Sequence, residues 1–281
     1  MPPHGSNKQT PDTVFLKLGG SLITDKSQPR SPRKGVLARL AQEIAAARKE
    51  KPDLNLVLGH GSGSFGHTSG QKYHTRDGVH SLQEWQGFTK VWFDAADLNH
   101  LVMEALHDAN IPALSFPPSA SVTTQTREIT HWNTTPLEQA LEKKLLPVVY
   151  GDVVFDEEIG GTILSTEEIF AFLTRTLKPQ TILLAGQDPG VWANYPQCTE
   201  IISEITPQTY PSLRSNFQEA TTTDVTGGMA SKVKEMVNLV QSAGELKVWI
   251  FSGRKEDHLF QALIGQQQGT HIHNPPSPEA R

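Results

Sequence analysis

The sequence predicts an α/β fold, a mostly parallel central sheet with helices on both faces. Two observations carry this expectation. Apolar runs of strand length alternate with longer segments of helical periodicity. Several of those runs also end in a glycine turn. Parallel strands need long crossovers, and helices between consecutive strands provide them while covering the sheet.

Thr13–Leu18 is β-branched and apolar and stops at Gly19-Gly20, which predicts a first strand. Over 36–50, Leu37, Leu40, Ile44 and Ala47 recur at helical spacing. A second strand is expected over 54–58, ending in another glycine cluster. A long helix follows over 82–109, with Trp85, Phe88, Trp92, Ala95, Leu98 and Val102 on one side. A helix over 136–144 opens on a proline, suited to a first helical position. Leu146–Tyr150 is then a strand running into Gly151-Asp152. Helices over 167–177 and 228–243 and strands over 181–185 and 247–251 complete the pattern.

Residues 1–12 and 271–281 are rich in Pro, Ser, His and Asn without periodic apolar residues, so both are expected as flexible tails. Residues 186–222 carry many Thr, Pro, Gln and Ser and suggest connecting, lid-like structure in a second lobe. The expected division is an N-terminal lobe over 13–180 and a C-terminal lobe over 181–270.

Composition narrows the function classes. At 281 residues, 37% hydrophobic and 20% charged, the chain is long and apolar enough for a substantial core. A net charge of -5 speaks against a dedicated nucleic-acid binder. Cys198 is the only cysteine, which excludes an intramolecular disulfide and a cysteine-based zinc site; no metal ligands are assigned. No apolar run approaches the ~18–20 residues of a membrane span, and the first residues lack a signal-peptide core. The expectation is a soluble cytoplasmic protein with no membrane partner.

Three glycine-rich segments carry the chemistry. In Lys17-Leu18-Gly19-Gly20-Ser21, followed by Lys26, two glycines let the backbone approach a ligand while the lysines bring positive charge. A strand turn with two solvated lysines is the plainer alternative. His60-Gly61-Ser62-Gly63-Ser64-Phe65-Gly66-His67 is more unusual: its amides and hydroxyls can surround an anion, and His67 can donate to a phosphate. His60 is better explained as a histidine satisfied by the backbone. The segment also fits G-x-G-x-x-G, but Glu84, at the spacing of a ribose-binding acid, lies in a helical pattern. In Asp224-Val225-Thr226-Gly227-Gly228-Met229-Ala230-Ser231-Lys232, a glycine pair opens a helix whose N-terminus suits phosphate, or Asp224 or Thr226 merely caps it. Neither glycine loop has the P-loop order. All follow expected strands, as does Gly151-Asp152, so one shared crevice is the economical arrangement.

Taken together, these residues resemble the amino acid kinase superfamily and, within it, the isopentenyl phosphate kinases. Lys17 to Lys26 looks like that family's K-x-G-G-S opening with its following lysine. Gly63-Ser64-Phe65-Gly66-His67 is similar to its G-S-F-G-H loop, while Gly151-Asp152-Val153, Ile163-Leu164-Ser165 and 224–232 fall in the family's order. The resemblance covers roughly 13–265. It implies an αβα sandwich whose N-terminal lobe holds a phosphorylated acceptor and whose C-terminal lobe holds ATP. It implies γ-phosphate transfer to isopentenyl phosphate, with Mg²⁺, in a homodimer. Lys17, Gly19, Gly20 and Ser21 would face ATP phosphates, with Ser64, Gly228 and Lys232 also on the nucleotide side. Lys17, Lys26 and His67 would be catalytic, and Gly63, His67 and Gly151 would bind the acceptor.

An isoprenoid tail needs an apolar pocket, which Trp85, Phe88, Trp92 and Phe93 could line; core packing explains them equally well. Two segments depart from the family pattern. Gln187-Asp188-Pro189-Gly190-Val191-Trp192 stands where D-V-D-G-V-Y is usual, and Ser165-Thr166-Glu167 stands where S-G-D is frequent. Both fall where nucleotide is met or lysines are organised. A kinase for another phosphate or phosphonate such as fosfomycin, or a silent relative that only binds phosphorylated ligands, are the alternatives.

Overall fold

The computed structural model describes residues 12–214 and 228–275. Strand β1 (Thr13–Leu18) leads through the one-turn helix α1 (Gly20–Ile23) to α2 (Lys34–Glu50) and β2 (Asn55–His60). Helices α3 (Gly63–Tyr73) and α4 (Leu82–Asp108) come next, then β3 (Ala113–Ser115), β4 (Val122–Gln125), β5 (Glu128–Trp132), α5 (Thr135–Glu142) and β6 (Leu146–Tyr150). The hairpin of β7 (Asp152–Asp156) and β8 (Gly160–Leu164) precedes α6 (Thr166–Leu177) and β9 (Thr181–Gly186). Short strands β10 (Val191–Trp192), β11 (Ile201–Ile202) and β12 (Glu204–Ile205) lead to the turn of helix α7 (Tyr210–Leu213). Helix α8 (Gly228–Ser242), β13 (Lys247–Ser252), α9 (His258–Leu263) and β14 (Thr270–His273) complete the described chain.

The main sheet has the order β12-β14-β13-β9-β1-β2-β6-β3. From β13 to β3 all neighbours are parallel, while β14 runs antiparallel to β13 and β12 parallel to β14. Strand alternation sorts the side chains into two cores. Val14, Leu16 and Leu18 of β1 pack with Leu40 and Ile44 of α2 and Leu98 of α4 on one face. Phe15 packs with Phe170 of α6 and Met236 and Val240 of α8 on the other. A strand buried on both faces reads as a continuous apolar run, which is why β1 was visible in sequence. The same alternation puts Lys17 on the Phe15 face, beneath α6 and α8.

The expected helices and strands are present, with bounds shifted by one or two residues. Three differences bear on function. The G-S-F-G-H segment is the start of α3 rather than an open loop, and its glycines let this helix lie close to its surroundings. Residues 271–273, expected in a tail, form part of β14, because Ile272 is fully buried between neighbouring strands. The connecting segment after 186 also contributes to the main sheet, through β12. Glu84 accepts hydrogen bonds from the Ser81 and His80 amides, both 2.7 Å, and closes a capping box at the start of α4. It is thus a helix cap and not the acid of a dinucleotide fold.

Among the aromatic residues of α4, Trp85 and Phe88 gather against Phe155 of β7 in a core patch with Val79, Val91 and Val153. Trp92 and Phe93 are exposed. Among the described residues, no helix is long and apolar enough to cross a membrane.

Candidate active site

The carboxyl ends of β9, β1, β2 and β6 are stitched together by backbone hydrogen bonds. Gly19 N–H donates to Ala185 at 2.8 Å, Gly61 N–H to Leu18 at 3.1 Å, and Gly151 N–H to His60 at 3.2 Å. The Thr166 hydroxyl donates to the His60 carbonyl at 2.7 Å, bringing the start of α6 to the same place. A cleft opens over these strand ends. It is lined by Lys17, Gly19, Gly20, Ser21, Lys26, Gly61, Ser62, His67, Gly151, the stretch 163–167, and Lys232. Ligands of open α/β sheets collect at such a position.

Two glycine loops meet at the floor. A Cβ on Gly20 would lie 2.5 Å from the Gly63 nitrogen, so the backbones touch where any side chain would separate them. Gly63 has φ +50, and its Cβ would fall 2.2 Å from Thr24 Oγ1. That hydroxyl is already engaged: it donates to the Gly20 carbonyl at 2.7 Å and accepts from the Ser64 amide at 2.9 Å. The Ser64 hydroxyl in turn accepts from the Ser31 amide at 3.1 Å. Gly63 and Ser64 therefore build the loop junction and are not among the residues lining the cleft; Gly61 and Ser62, just before them, are. Gly228 opens α8 but also stands off the lining. Asp224, Val225, Thr226 and Gly227 of the third motif lie outside the described residues.

Charge is organised around Lys17, which is only 7% exposed. Its ammonium pairs with Glu167, in the first turn of α6. Burial lowers the Lys17 pKa, with Lys232 adding to the effect and Glu167 opposing it. For Glu167, burial favours the neutral acid, but Lys17 and Lys232 outweigh it and hold the carboxyl below its usual range. The helix N-terminus favours the same ionised form. Ser165 caps α6 in a capping box with Glu168, and Arg76 binds Glu168 at 3.1 Å, which fixes the turn that presents Glu167. Glu235 on α8 sits nearby with its pKa pushed up to about 8 by burial and by Glu167 and Glu168.

On the other wall, His67 projects from α3. The loop carrying Lys26 is tied to α4 by Arg30, whose guanidinium bridges Asp94 and Asp97 and lies over the Phe65 and Phe93 rings. His60 is fully buried and stacked on Tyr150, with its ring nitrogens 3.2 Å from Asn99 Oδ1 and the Gly61 carbonyl. Burial brings its pKa down to about 4, so it is a neutral structural residue.

Among the described residues the cleft thus gathers three lysines and a histidine against one carboxylate that Lys17 already engages, together with glycine backbones and the opening turns of two helices. That donor set suits phosphate oxygens. Lys17, Lys26, His67, Gly19, Gly20, Ser21, Gly151 and Lys232 are brought together as expected from sequence. Glu167 was noticed there only as a departure from a pattern. The capping box beginning at Ser165 is the signal that could have placed it, since it sets Glu167 in the first turn facing the strand ends. Gln187, in the other departing segment, donates to the Ser21 carbonyl and so braces the first glycine turn.

The profile of the amino acid kinase family matches residues 12–252. The chain belongs to the amino acid kinase family. Among its relatives, the isopentenyl phosphate kinase of Methanocaldococcus jannaschii is 31% identical over 265 residues, covering 92% of this chain and 98% of that one. The isopentenyl phosphate kinase of Methanothermobacter thermautotrophicus is 30% identical, again over 92% of this chain and 98% of the relative. A crystal structure of an isopentenyl phosphate kinase superposes with a TM-score of 0.77 at 27% identity, covering 92% of this chain and 99% of that one. The fold extends to a carbamate kinase from Giardia lamblia, with a TM-score of 0.68 at 16% identity.

Proposed function

We propose that this amino acid kinase family member transfers the γ-phosphoryl group of ATP to isopentenyl phosphate, giving isopentenyl diphosphate and ADP. Full-length similarity to isopentenyl phosphate kinases supports the assignment. The observation that carries it in this chain is the convergence of Lys17, Lys26, Lys232 and His67 on one glycine-walled cleft.

The acceptor is a phosphate monoester, already ionised near neutral pH, and needs no strong base. One of its oxygens attacks the γ-phosphorus; the bond to the bridging oxygen breaks, and its electron pair leaves with ADP. The barrier is mutual repulsion of two anions, so catalysis is positioning and charge stabilisation. His67 and the Gly151 backbone hold the acceptor phosphate on the α3 side. The backbone at Gly19, Gly20 and Ser21, with Lys17 and Lys232, holds the nucleotide phosphates. Lys26 stabilises the charge of the group in transfer. Glu167 positions Lys17 and limits the excess of positive charge before substrates arrive. Apart from Lys17 and the Gly19-Gly20-Ser21 turn, which reach the nucleotide phosphates from β1, residues before about 180 serve the acceptor and those after it the nucleotide, and both stretches share one sheet.

Among the described residues the one carboxylate lining the cleft, Glu167, is engaged by Lys17, which fits a Mg²⁺ ion held chiefly by the nucleotide phosphates, with Glu167 as a candidate protein oxygen ligand. Bound there, Mg²⁺ would neutralise charge on the β- and γ-phosphates.

The deciding experiment is a coupled ADP-release assay with isopentenyl phosphate, dimethylallyl phosphate and fosfomycin as acceptors. Turnover strongest with isopentenyl phosphate is expected. Demonstrated ATP binding without turnover on any of the three would overturn the assignment.

A further inference from the structure

The outer strands of the main sheet hold a second group of ligating side chains. β14 runs antiparallel to β13, with Thr270 opposite Ile250 and His273 opposite Lys247. His273 therefore lies toward the amino ends of the parallel strands, at the opposite end of the sheet from the phosphate cleft. Alternation along β14 turns Ile272 into the core and leaves His271 and His273 together on the other face. Parallel pairing of β12 with β14 sets Glu204 directly opposite His271. One ligand atom from each of Glu204, His271 and His273 lies within 4.8 Å of the other two.

The details are those of a prepared site. The two imidazoles stack at 4.4 Å with 17° between their planes, and His271 stacks in turn on Trp249 at 4.3 Å. His273 Nε2 is 2.7 Å from Glu204 Oε1. His271 Nε2 is buried, and no hydrogen-bond partner reaches it among the described residues. A buried polar nitrogen left unsatisfied costs free energy, and such an atom beside two other ligating groups calls for an explanation.

We propose that Glu204, His271 and His273 form a binding site for a divalent transition-metal ion of the zinc type. Two imidazoles and one carboxylate are the ligand chemistry of zinc and its neighbours, whereas Mg²⁺ and Ca²⁺ take oxygen ligands. Metal ligation needs neutral imidazole. Stacking on Trp249 and strand pairing hold the rings in place before the ion arrives. Three protein ligands leave a fourth tetrahedral position for water. The ion would clasp the two-residue strand β12 to β14, stabilising the sheet edge without touching the phosphate cleft. This site is independent of the kinase assignment.

The experiment uses the full-length, tag-free chain after chelator treatment, titrated with Co²⁺ by visible absorption and with Zn²⁺ by equilibrium dialysis. Expected are ligand-field bands of low-symmetry Co²⁺ at one equivalent, displacement by Zn²⁺, and a rise in thermal midpoint with Zn²⁺. His273→Ala, on the solvent side of the pair, and Glu204→Gln should each weaken Zn²⁺ binding by roughly tenfold or more and abolish the thermal shift. His271→Gln tests the buried ligand if it folds. ADP release should be unchanged in His273→Ala and Glu204→Gln. Absence of a stoichiometric Co²⁺ complex in the unmodified chain would overturn the proposal. So would Zn²⁺ affinity in His273→Ala and Glu204→Gln equal to that of the unmodified chain, which would trace binding to other histidines.

Discussion

Lys17 and Glu167 form an ion pair almost wholly removed from solvent, with side-chain exposures of 9% and 3%. One partner lies next to the end of the central strand and the other in the first turn of the helix above it. The pair thus couples the placement of a cleft-lining cation to the packing of α6 on the sheet. In low dielectric each charge depends on the other, and losing either leaves a costly remainder.

Glu167→Ala should therefore destabilise the protein by about 3 kcal/mol, since the Lys17 ammonium stays buried without its partner. The double variant Lys17→Met/Glu167→Leu, which removes both charges, should lose less stability than Glu167→Ala while being inactive. Urea unfolding of the three proteins checks this. A double variant that loses as much stability as Glu167→Ala, or more, would show that the cost does not come from the unpaired Lys17 charge.

How much of this was legible in the sequence follows from where each residue sits. β1, β2 and β9 are buried on both faces, so their apolar runs announced them. Lys17 was visible because it stands by Gly19-Gly20 in an opening that resembles the family's K-x-G-G-S; a glycine turn with nearby lysines is common on its own. Glu167 was not, because a motif comparison registers which residue is missing and not which one replaces it. β14 escaped because one inward Ile272 between two histidines, followed by prolines, is too short and too polar to read as a strand. The departure of Gly63 and Ser64 from the cleft lining was equally hidden: it depends on Thr24, some 40 residues away in the chain, reaching between the loops.

His67→Ala should lower kcat by about a hundredfold, the scale of losing a donor aimed at developing phosphate charge. Nucleotide affinity measured by calorimetry should be unchanged, because the role proposed for His67 is to hold the acceptor. Normal turnover in His67→Ala would remove it from the acceptor site.

Gly63→Ala tests the loop junction. A left-handed backbone and a Cβ 2.2 Å from Thr24 Oγ1 leave no relaxed position for a methyl group. A loss of about 2 kcal/mol or more is expected from strain of this kind. Because the shift would displace Gly20 as well, nucleotide affinity should fall together with stability. Thermal unfolding and nucleotide titration of the same sample report the two effects.

Glu235 links stability to pH. Its folded pKa of about 8 lies above the ordinary 4.5, so the folded state holds a proton that the unfolded state releases. Its contribution is complete below 4.5 and is lost as pH rises toward about 8. Stability should decline over that window, and Glu235→Gln, which keeps the neutral shape, should decline less. Ionisation of Glu235 also adds negative charge beside Lys17. kcat/KM should therefore fall above roughly pH 8 in the unmodified chain and hold further into the alkaline range in Glu235→Gln. Parallel urea titrations and pH–rate profiles of both proteins separate the outcomes. If the two profiles coincide, Glu235 does not titrate near pH 8, and another group governs the alkaline limb.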